Sequence, residues 1–364
     1  MRFRGFLGVG MLGAVALAST LVAKPAQSEA AMPPYDHIFL IILENHTTDE
    51  IVGDKGAAPE LNRLAKTYGL ATHYYAIRHP SEPNYVALVG GDTFAITDDD
   101  AFYCKPGSTR WGCAGATRPG YVDHTIAAPN LAQQLDARGI TWKGYFEDIP
   151  APGSSAYRWP SPKEPASGKP DSLYAVKHNG FMNFKSVQDD PARAQKIVGF
   201  DVLARDLAAN VLPRFAAIVP NQCNDMHGLS GHDVPPDCAN GPGLIGRADR
   251  AVAKITDAIM ATPAWKARAN SAIVITFDEN DDDRADSNPI GCCGAGEAGG
   301  LGGGWIATIV VTNHGPRKLT DPLQYNHYSL LRTIESAFGI SDYLGHAADT
   351  GKGVETMTPL FATK

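Results

Sequence analysis

The chain has 364 residues, with 39 acidic and 32 basic side chains and a formal charge of −7. Apolar residues, at 44%, are enough for a sizeable core, and charged residues, at 20%, are too few for a disordered chain. A mildly acidic chain without a Lys/Arg run also excludes a non-specific nucleic-acid binder, because backbone phosphates must be met by clustered cations.

In chain order, Met1-Arg2-Phe3-Arg4 is a positive start, Gly5 to Ala23 an uncharged and mostly apolar run, and Ala26 to Ala31 a stretch of small residues. This is the three-part pattern of a secretory signal peptide over 1–31. The apolar run is also long enough for an uncleaved anchor. After cleavage no other stretch approaches a membrane span. Residues 32–364 read as a single exported domain, periplasmic or secreted.

His37 to Leu43 is a continuous apolar run rich in β-branched residues, which predicts a strand buried on both faces. Helix is expected over 59–65, strand over 72–77, and a helix over 83–89 with Pro83 in its first turn. The pattern continues with helix 130–137, strand 141–146, helix 201–209, strand 215–219, helix 247–260, strands 272–277 and 305–311, and a closing helix 328–338. Pro, Ser and Gly concentrate between 150 and 170 as a long loop inside one alternation. The alternation predicts an α/β fold, three-layer α/β/α around a largely parallel sheet.

Six cysteines follow the leader, an even number that favours disulfides in an exported chain. Local pairs Cys104–Cys113 and Cys223–Cys238 are one arrangement, leaving Cys292–Cys293 as a vicinal pair. Other connectivities stay open. Zinc–thiolate binding is disfavoured because no C-x-x-C pair occurs.

Open α/β sheets gather their sites at the carboxyl ends of the strands. Here strand 37–43 runs into Glu44-Asn45-His46, strand 72–77 into His79-Pro80-Ser81-Glu82-Pro83-Asn84, strand 215–219 into a loop with Asp225 and His227, and strand 272–277 into Asp278-Glu279. Asn326-His327 precede the last helix. Glu44, Asn45, Asp278 and Glu279 are oxygen donors suited to a hard divalent cation. Ser81 sits at a predicted helix start, where free N–H groups favour a phosphate. A metal or base must lower its pKa before it becomes a nucleophile. His227 and His327 can donate protons or hydrogen bonds. Together these point to metal-assisted phosphoryl transfer through a serine. The acidic runs Asp98-Asp99-Asp100 and Asp281-Asp282-Asp283 read as solvated faces, and His124 and His178 receive no role.

The stretches 37–53, 79–94, 141–150, 218–228, 273–282 and 326–335 resemble, in order, those of the phosphoesterase family. That family contains bacterial and fungal acid phosphatases and bacterial phospholipases C, and belongs to the alkaline-phosphatase-like superfamily. The Ser81-Glu82-Pro83-Asn84-Tyr85 and Trp142-x-x-Tyr145-x-Glu147-Asp148 forms are more similar to the acid phosphatase branch. The resemblance implies an alkaline-phosphatase-like fold and a small-molecule phosphate ester as substrate. It also implies one or two divalent ions, such as magnesium, calcium, manganese or zinc. Ser81 would be the transiently phosphorylated nucleophile and a metal ligand with Glu44, Asn45, Asp278 and Glu279. Asn84 would help bind phosphate. His227 and His327 would contact phosphate or a second metal, Asp225 would ligate or orient, and His79 is a further candidate. A sulfatase is disfavoured, since Tyr85 stands where C/S-x-P-x-R wants Arg. The alternatives are a phosphodiesterase of the phospholipase C type, differing in loops 95–125 and 150–190, and an exported cation-binding module without turnover.

Overall fold

A computed structural model describes residues 1, 31–53, 56–110, 112–159, 172–230, 234–281, 302–350 and 354–363. Contacts divide the chain into two units, Met1–Ala31 and Met32–Lys364. The elements below lie in the second.

Among the described residues eight strands form the main sheet: β1 His37–Leu43, β2 Gly69–Tyr75, β3 Trp142–Phe146, β4 Ile197–Val198, β5 Phe215–Val219, β6 Ser271–Phe277, β7 Trp305–Thr312 and β8 Leu319–Asn326. Their order is β8-β2-β7-β6-β1-β5-β3-β4. Strand β1 is central and pairs in parallel with both β5 and β6. Its β-branched run needs cover on both faces, and every residue from Ile38 to Leu43 is buried. Only β7 runs against its neighbours, antiparallel to β2 and β6, so among the described residues the sheet is largely parallel.

Two groups of helices complete an α/β/α architecture. Helix α1 (Pro59–Thr67) packs on α5 (Pro242–Ala261), and the Asp249 carboxylate of α5 accepts from the Glu60 and Leu61 N–H groups at the start of α1. In the other group α2 (Ser81–Gly90) packs on α3 (Leu131–Ala137) and α6 (His327–Ala337). Helix α4 (Phe200–Ala209) lies against β3. Every residue of α2 is buried, including Ser81, Glu82 and Asn84, whose polar atoms find hydrogen-bond partners there.

Element ends shift from the sequence expectation, most at the helix expected over 247–260, which begins at Pro242. The second strand starts at Gly69 and ends at Tyr75, leaving Ala76 and Ile77 in the following loop. Residues 319–326, expected as loop, form edge strand β8. Its LTDPLQYN sequence alternates poorly, and its register shifts between Asp321 and Gln324, around Pro322. An edge strand tolerates a proline there because its outer N–H groups have no ladder partner to lose.

Disulfides join Cys104 to Cys113 and Cys223 to Cys238. The expected Cys292–Cys293 pair and most of the 281–283 acidic run lie outside the described residues. No described helix is long and apolar enough to cross a membrane.

Candidate active site

Strands β1, β5 and β6 lead polar residues to the same edge because their apolar runs stop there. The Leu43 carbonyl accepts from Asp278 N–H and the Asp225 carbonyl from Glu44 N–H, so the ends of β1, β5 and β6 are tied together. The turns are tight. Asn45, Asp148 and Met226, in the loops that follow β1, β3 and β5, have φ of 50°, 59° and 84°, left-handed values unusual away from glycine.

Ser81 is the first residue of α2 and is 1% exposed. Its hydroxyl lies 3.3 Å from Glu44 Oε2, 3.1 Å from Glu279 Oε1 and 3.2 Å from Lys177 Nζ. Asp278 Oδ1 accepts from the Asn45 N–H (3.2 Å) and the Glu279 N–H (2.7 Å). Asp278 Oδ2 and Asn45 Oδ1 are buried with no hydrogen-bond partner among the described residues. Glu44 also accepts from the Tyr85 hydroxyl at 2.5 Å. Burial raises the Glu44 and Asp278 carboxyls well above their ordinary values, and each is pushed further by a neighbouring carboxylate, Asp278 and Glu279 respectively. Burial likewise raises Asp225, with Glu44 adding to it. For Glu279 the same upward push is partly offset by His79, whose Nδ1 lies 2.6 Å from Glu279 Oε2. Four acidic groups thus converge where water is excluded, a strongly unfavourable arrangement unless a cation joins them.

His227 Nδ1 lies 2.8 Å from the Gly228 carbonyl, so that nitrogen is the protonated donor. Glu44, His178 and His227 each offer a ligand atom within 4.8 Å of the others. Burial first, then Lys177, pushes His227 down to about 3 and His178 well below its usual range, which leaves both rings neutral. His327 is fully buried; its Nε2 donates to the Asp278 carbonyl at 2.7 Å and its Nδ1 accepts from the Tyr74 hydroxyl at 3.1 Å. Burial lowers His327 to about 4.

The residues singled out in the sequence therefore converge, with two differences of place. Both nitrogens of His327 are engaged, so it braces the Asp278 strand end. Asn84 accepts from the Ile77 and Arg78 N–H groups and donates to the Arg78 and Pro80 carbonyls. It holds the loop in front of Ser81, and a phosphate contact would require giving up one of these bonds.

Sequence reasoning overlooked Lys177, His178 and Asp99. Lys177 and His178 arrive on a short turn, Val176–His178, that follows no main-sheet strand. His178 Nε2 is 3.2 Å from Glu44 and its Nδ1 3.6 Å from Asp225, and the ring stacks on Tyr85 at 5.2 Å. Burial would lower Lys177, but Asp99 and Glu44 more than reverse this, so it remains a cation. The turn approaches α2 so closely that a Cβ on Gly180 would meet the Tyr85 carbonyl oxygen at 2.2 Å. The available signal was the Lys-His-Asn-Gly run itself, a cation and a ligand-type imidazole shortly before a glycine that permits close approach. The Asp98-Asp99-Asp100 run is likewise no solvated face: Asp99 pairs with Lys177, Asp98 with His124 and Arg118, and Asp100 accepts from the Gly115 N–H.

The sequence profile of the phosphoesterase family matches residues 54–341. A phosphatidylinositol-3-phosphatase of Mycobacterium tuberculosis is 28% identical over 344 residues, covering 93% of this chain and 89% of that protein. A probable acid phosphatase of Kluyveromyces lactis is 32% identical over 58% of this chain and 43% of its own length. A phosphate-repressible acid phosphatase of Penicillium chrysogenum is 32% identical over 60% and 50%. The chain thus spans half or less of these fungal relatives. Among solved structures, a protein of the alkaline phosphatase superfamily from Vibrio parahaemolyticus aligns with a TM-score of 0.51 at 11% identity, covering 87% of this chain and 70% of that one. That likeness is one of fold.

Proposed function

The chain belongs to the phosphoesterase family and is a hydrolase of phosphoric ester bonds. From that premise we propose that it is an exported, metal-dependent phosphomonoesterase of the acid phosphatase type acting through a phosphoserine on Ser81. The observation that carries this reading is the buried Ser81 hydroxyl at a helix start, in reach of Glu44, Glu279 and Lys177.

Glu44, Asn45, Asp278, Glu279 and Ser81 would hold one divalent cation, and Glu44 with His178 and His227 a second. The orphaned Asn45 and Asp278 oxygens and the acid-rich donor set fit such a group. When bound, the cation supplies Lewis acidity to the phosphoryl oxygens and lowers the pKa of the Ser81 hydroxyl.

The chain's own groups do the rest. In the first turn of α2 the Glu82 N–H is taken by Asp99 Oδ1 and Pro83 has none, so the Ser81 N–H is the helix-start donor turned to the equatorial oxygens. The Ser81 Oγ–P bond forms as the ester P–O bond breaks; the serine releases its proton and the alcohol leaves with one. Water then forms a bond to phosphorus from the opposite side. Ser81 Oγ departs and regains a proton, and inorganic phosphate is released. His227 presents its open ring nitrogen to phosphate or cation, Asp225 orients His178 and His227, and His327 keeps Asp278 in place.

Relatives whose names specify a phosphatase favour a monoester over a phospholipase C substrate. The mycobacterial relative, matched over most of both chains, makes a phosphorylated inositol lipid a candidate. Export and the division into a 1–31 leader and a 32–364 catalytic domain are supported by the N-terminal pattern and the two disulfides.

Wild type and Ser81→Ala are to be assayed with and without chelator on an aryl phosphate, phosphatidylinositol 3-phosphate vesicles and phosphatidylcholine vesicles. The expected result is phosphate release from monoesters, abolished by chelator and reduced at least about 10³-fold in the variant. A fully active Ser81→Ala protein, or inversion at a chiral phosphate, removes the phosphoserine. Phosphocholine release exceeding monoester turnover would move the assignment to the diesterase.

A further inference from the structure

Two carboxylates flank the Ser81 hydroxyl, and both oppose an incoming phosphate dianion. The buried cation at the same oxygen is Lys177, 8% exposed. Its ammonium lies 3.2 Å from Ser81 Oγ and 2.8 Å from Asp99 Oδ2. An ammonium has three N–H donors. Among the described residues its hydrogen bonds use two, leaving one for an oxygen brought in by a ligand. Asp99 is anchored in turn: its Oδ1 accepts from the Glu82 N–H at 3.0 Å, in the first turn of α2. One carboxylate therefore ties the lysine to the helix turn that presents the serine. A lysine needed only to balance Asp99 could stay at the surface, where the pair avoids desolvation. Instead Gly180 lets its turn press against α2, which delivers the ammonium to the reacting hydroxyl.

We propose, on the reading that Ser81 is the nucleophile, that Lys177 is a catalytic cation of this site. It donates one N–H to Ser81 Oγ and one to an equatorial phosphoryl oxygen, and Asp99 is the positioning residue that aims it. Its fixed positive charge opposes the repulsion from Glu44 and Glu279 as negative charge builds between the attacking and leaving oxygens. No proton need leave Lys177 for this role.

The test uses the full chain loaded with its metal and p-nitrophenyl phosphate as probe, with wild type, Lys177→Met, Lys177→Ala, Asp99→Asn and Ser81→Ala side by side. Metal content and Tm are measured for each. Lys177→Met is expected to lower kcat by about 10²- to 10³-fold at unchanged metal content, the scale of losing one preorganised donor. Asp99→Asn should lower kcat by roughly tenfold, as expected of a small misplacement. Added ethylammonium should restore part of the kcat of Lys177→Ala saturably, a recovery that a merely structural lysine would not give. Lys177→Met retaining kcat within about threefold of wild type, while Ser81→Ala is inactive, overturns the lysine proposal alone. So does a Lys177→Ala protein that ethylammonium leaves unchanged. A Ser81→Ala protein as active as wild type would instead overturn the serine reading beneath it.

Discussion

Two buried acidic clusters lie on either side of the first turn of α2 and have opposite fates. On one side Glu44, Asp225, Asp278 and Glu279 converge with orphaned oxygens at Asp278 and Asn45. On the other, Glu82 is equally buried but surrounded: Asn183 Nδ2 donates to it at 2.6 Å, Ala101 N–H at 2.9 Å, and His124 Nδ1 lies 3.0 Å away. His124 reaches Asp98 with its other nitrogen at 3.2 Å. Burial would lower His124, but Asp98 and Glu82 raise it to about 10, so it is a buried cation at neutral pH. Both clusters carry negative charge out of water. The closed one contains its own cation and reads as structure, whereas the open one is short of positive charge, the condition of a site prepared for a ligand.

That contrast is broken most directly at Asp278. In the open cluster Asp278→Asn should lower activity by at least about 10³-fold. Stability should move the other way without metal. The Asp278 pKa is raised on folding, so ionising it costs stability as pH rises above its unfolded value, and the amide removes that cost. Thermal melts at neutral pH in chelator should show the variant at or above wild type, and chelator should lower the Tm of wild type only. A destabilised metal-free variant would count against an open cluster.

In the closed cluster His124→Leu should do the reverse. It strands Glu82 and Asp98 without their buried cation and should lower stability by about 3 kcal/mol at neutral pH. The pH dependence has a definite sign. A histidine raised from 6.5 to about 10 contributes stability that is complete below about 6.5 and lost as pH rises through about 10. Denaturant melts of wild type should weaken across that window, and His124→Leu should flatten this part of the profile. Asp98, Glu82, Asp100, Arg118 and Tyr121 surround the ring, and the Asp98 and Glu82 carboxyls lose the downward pull of His124 in the variant.

The smallest effect is expected at Gly180→Ala. The added methyl must push the 176–180 turn away from Tyr85, which moves Lys177 and His178 together. Activity should fall by roughly 10- to 100-fold, mainly in kcat. Wild-type kcat would mean that the turn's close approach has no bearing on the chemistry.

Much of this was legible from residue order. The β-branched run 37–43, the polar residues directly after it, the serine before a buried helix and the Asp278-Glu279 pair after an apolar strand all follow from local rules. Burial on two faces demands a continuous apolar run, and the first polar residue past it must lie at the sheet edge. Strand β8 was missed because an edge strand with a proline lacks the hydrophobic periodicity that marks a core strand.

The sequence by itself determined the α/β alternation and which strand ends would carry oxygen and nitrogen donors, because these depend on neighbours a few residues apart. Only the tertiary structure decided that Lys177, His178 and Asp99 join the serine, that Asn84 and His327 are engaged in bracing, and that one acidic cluster is closed while the other is open. Those outcomes depend on which distant charges end up within about 3 Å of one another in a medium that screens them poorly, a property of the folded arrangement that no spacing along the chain encodes.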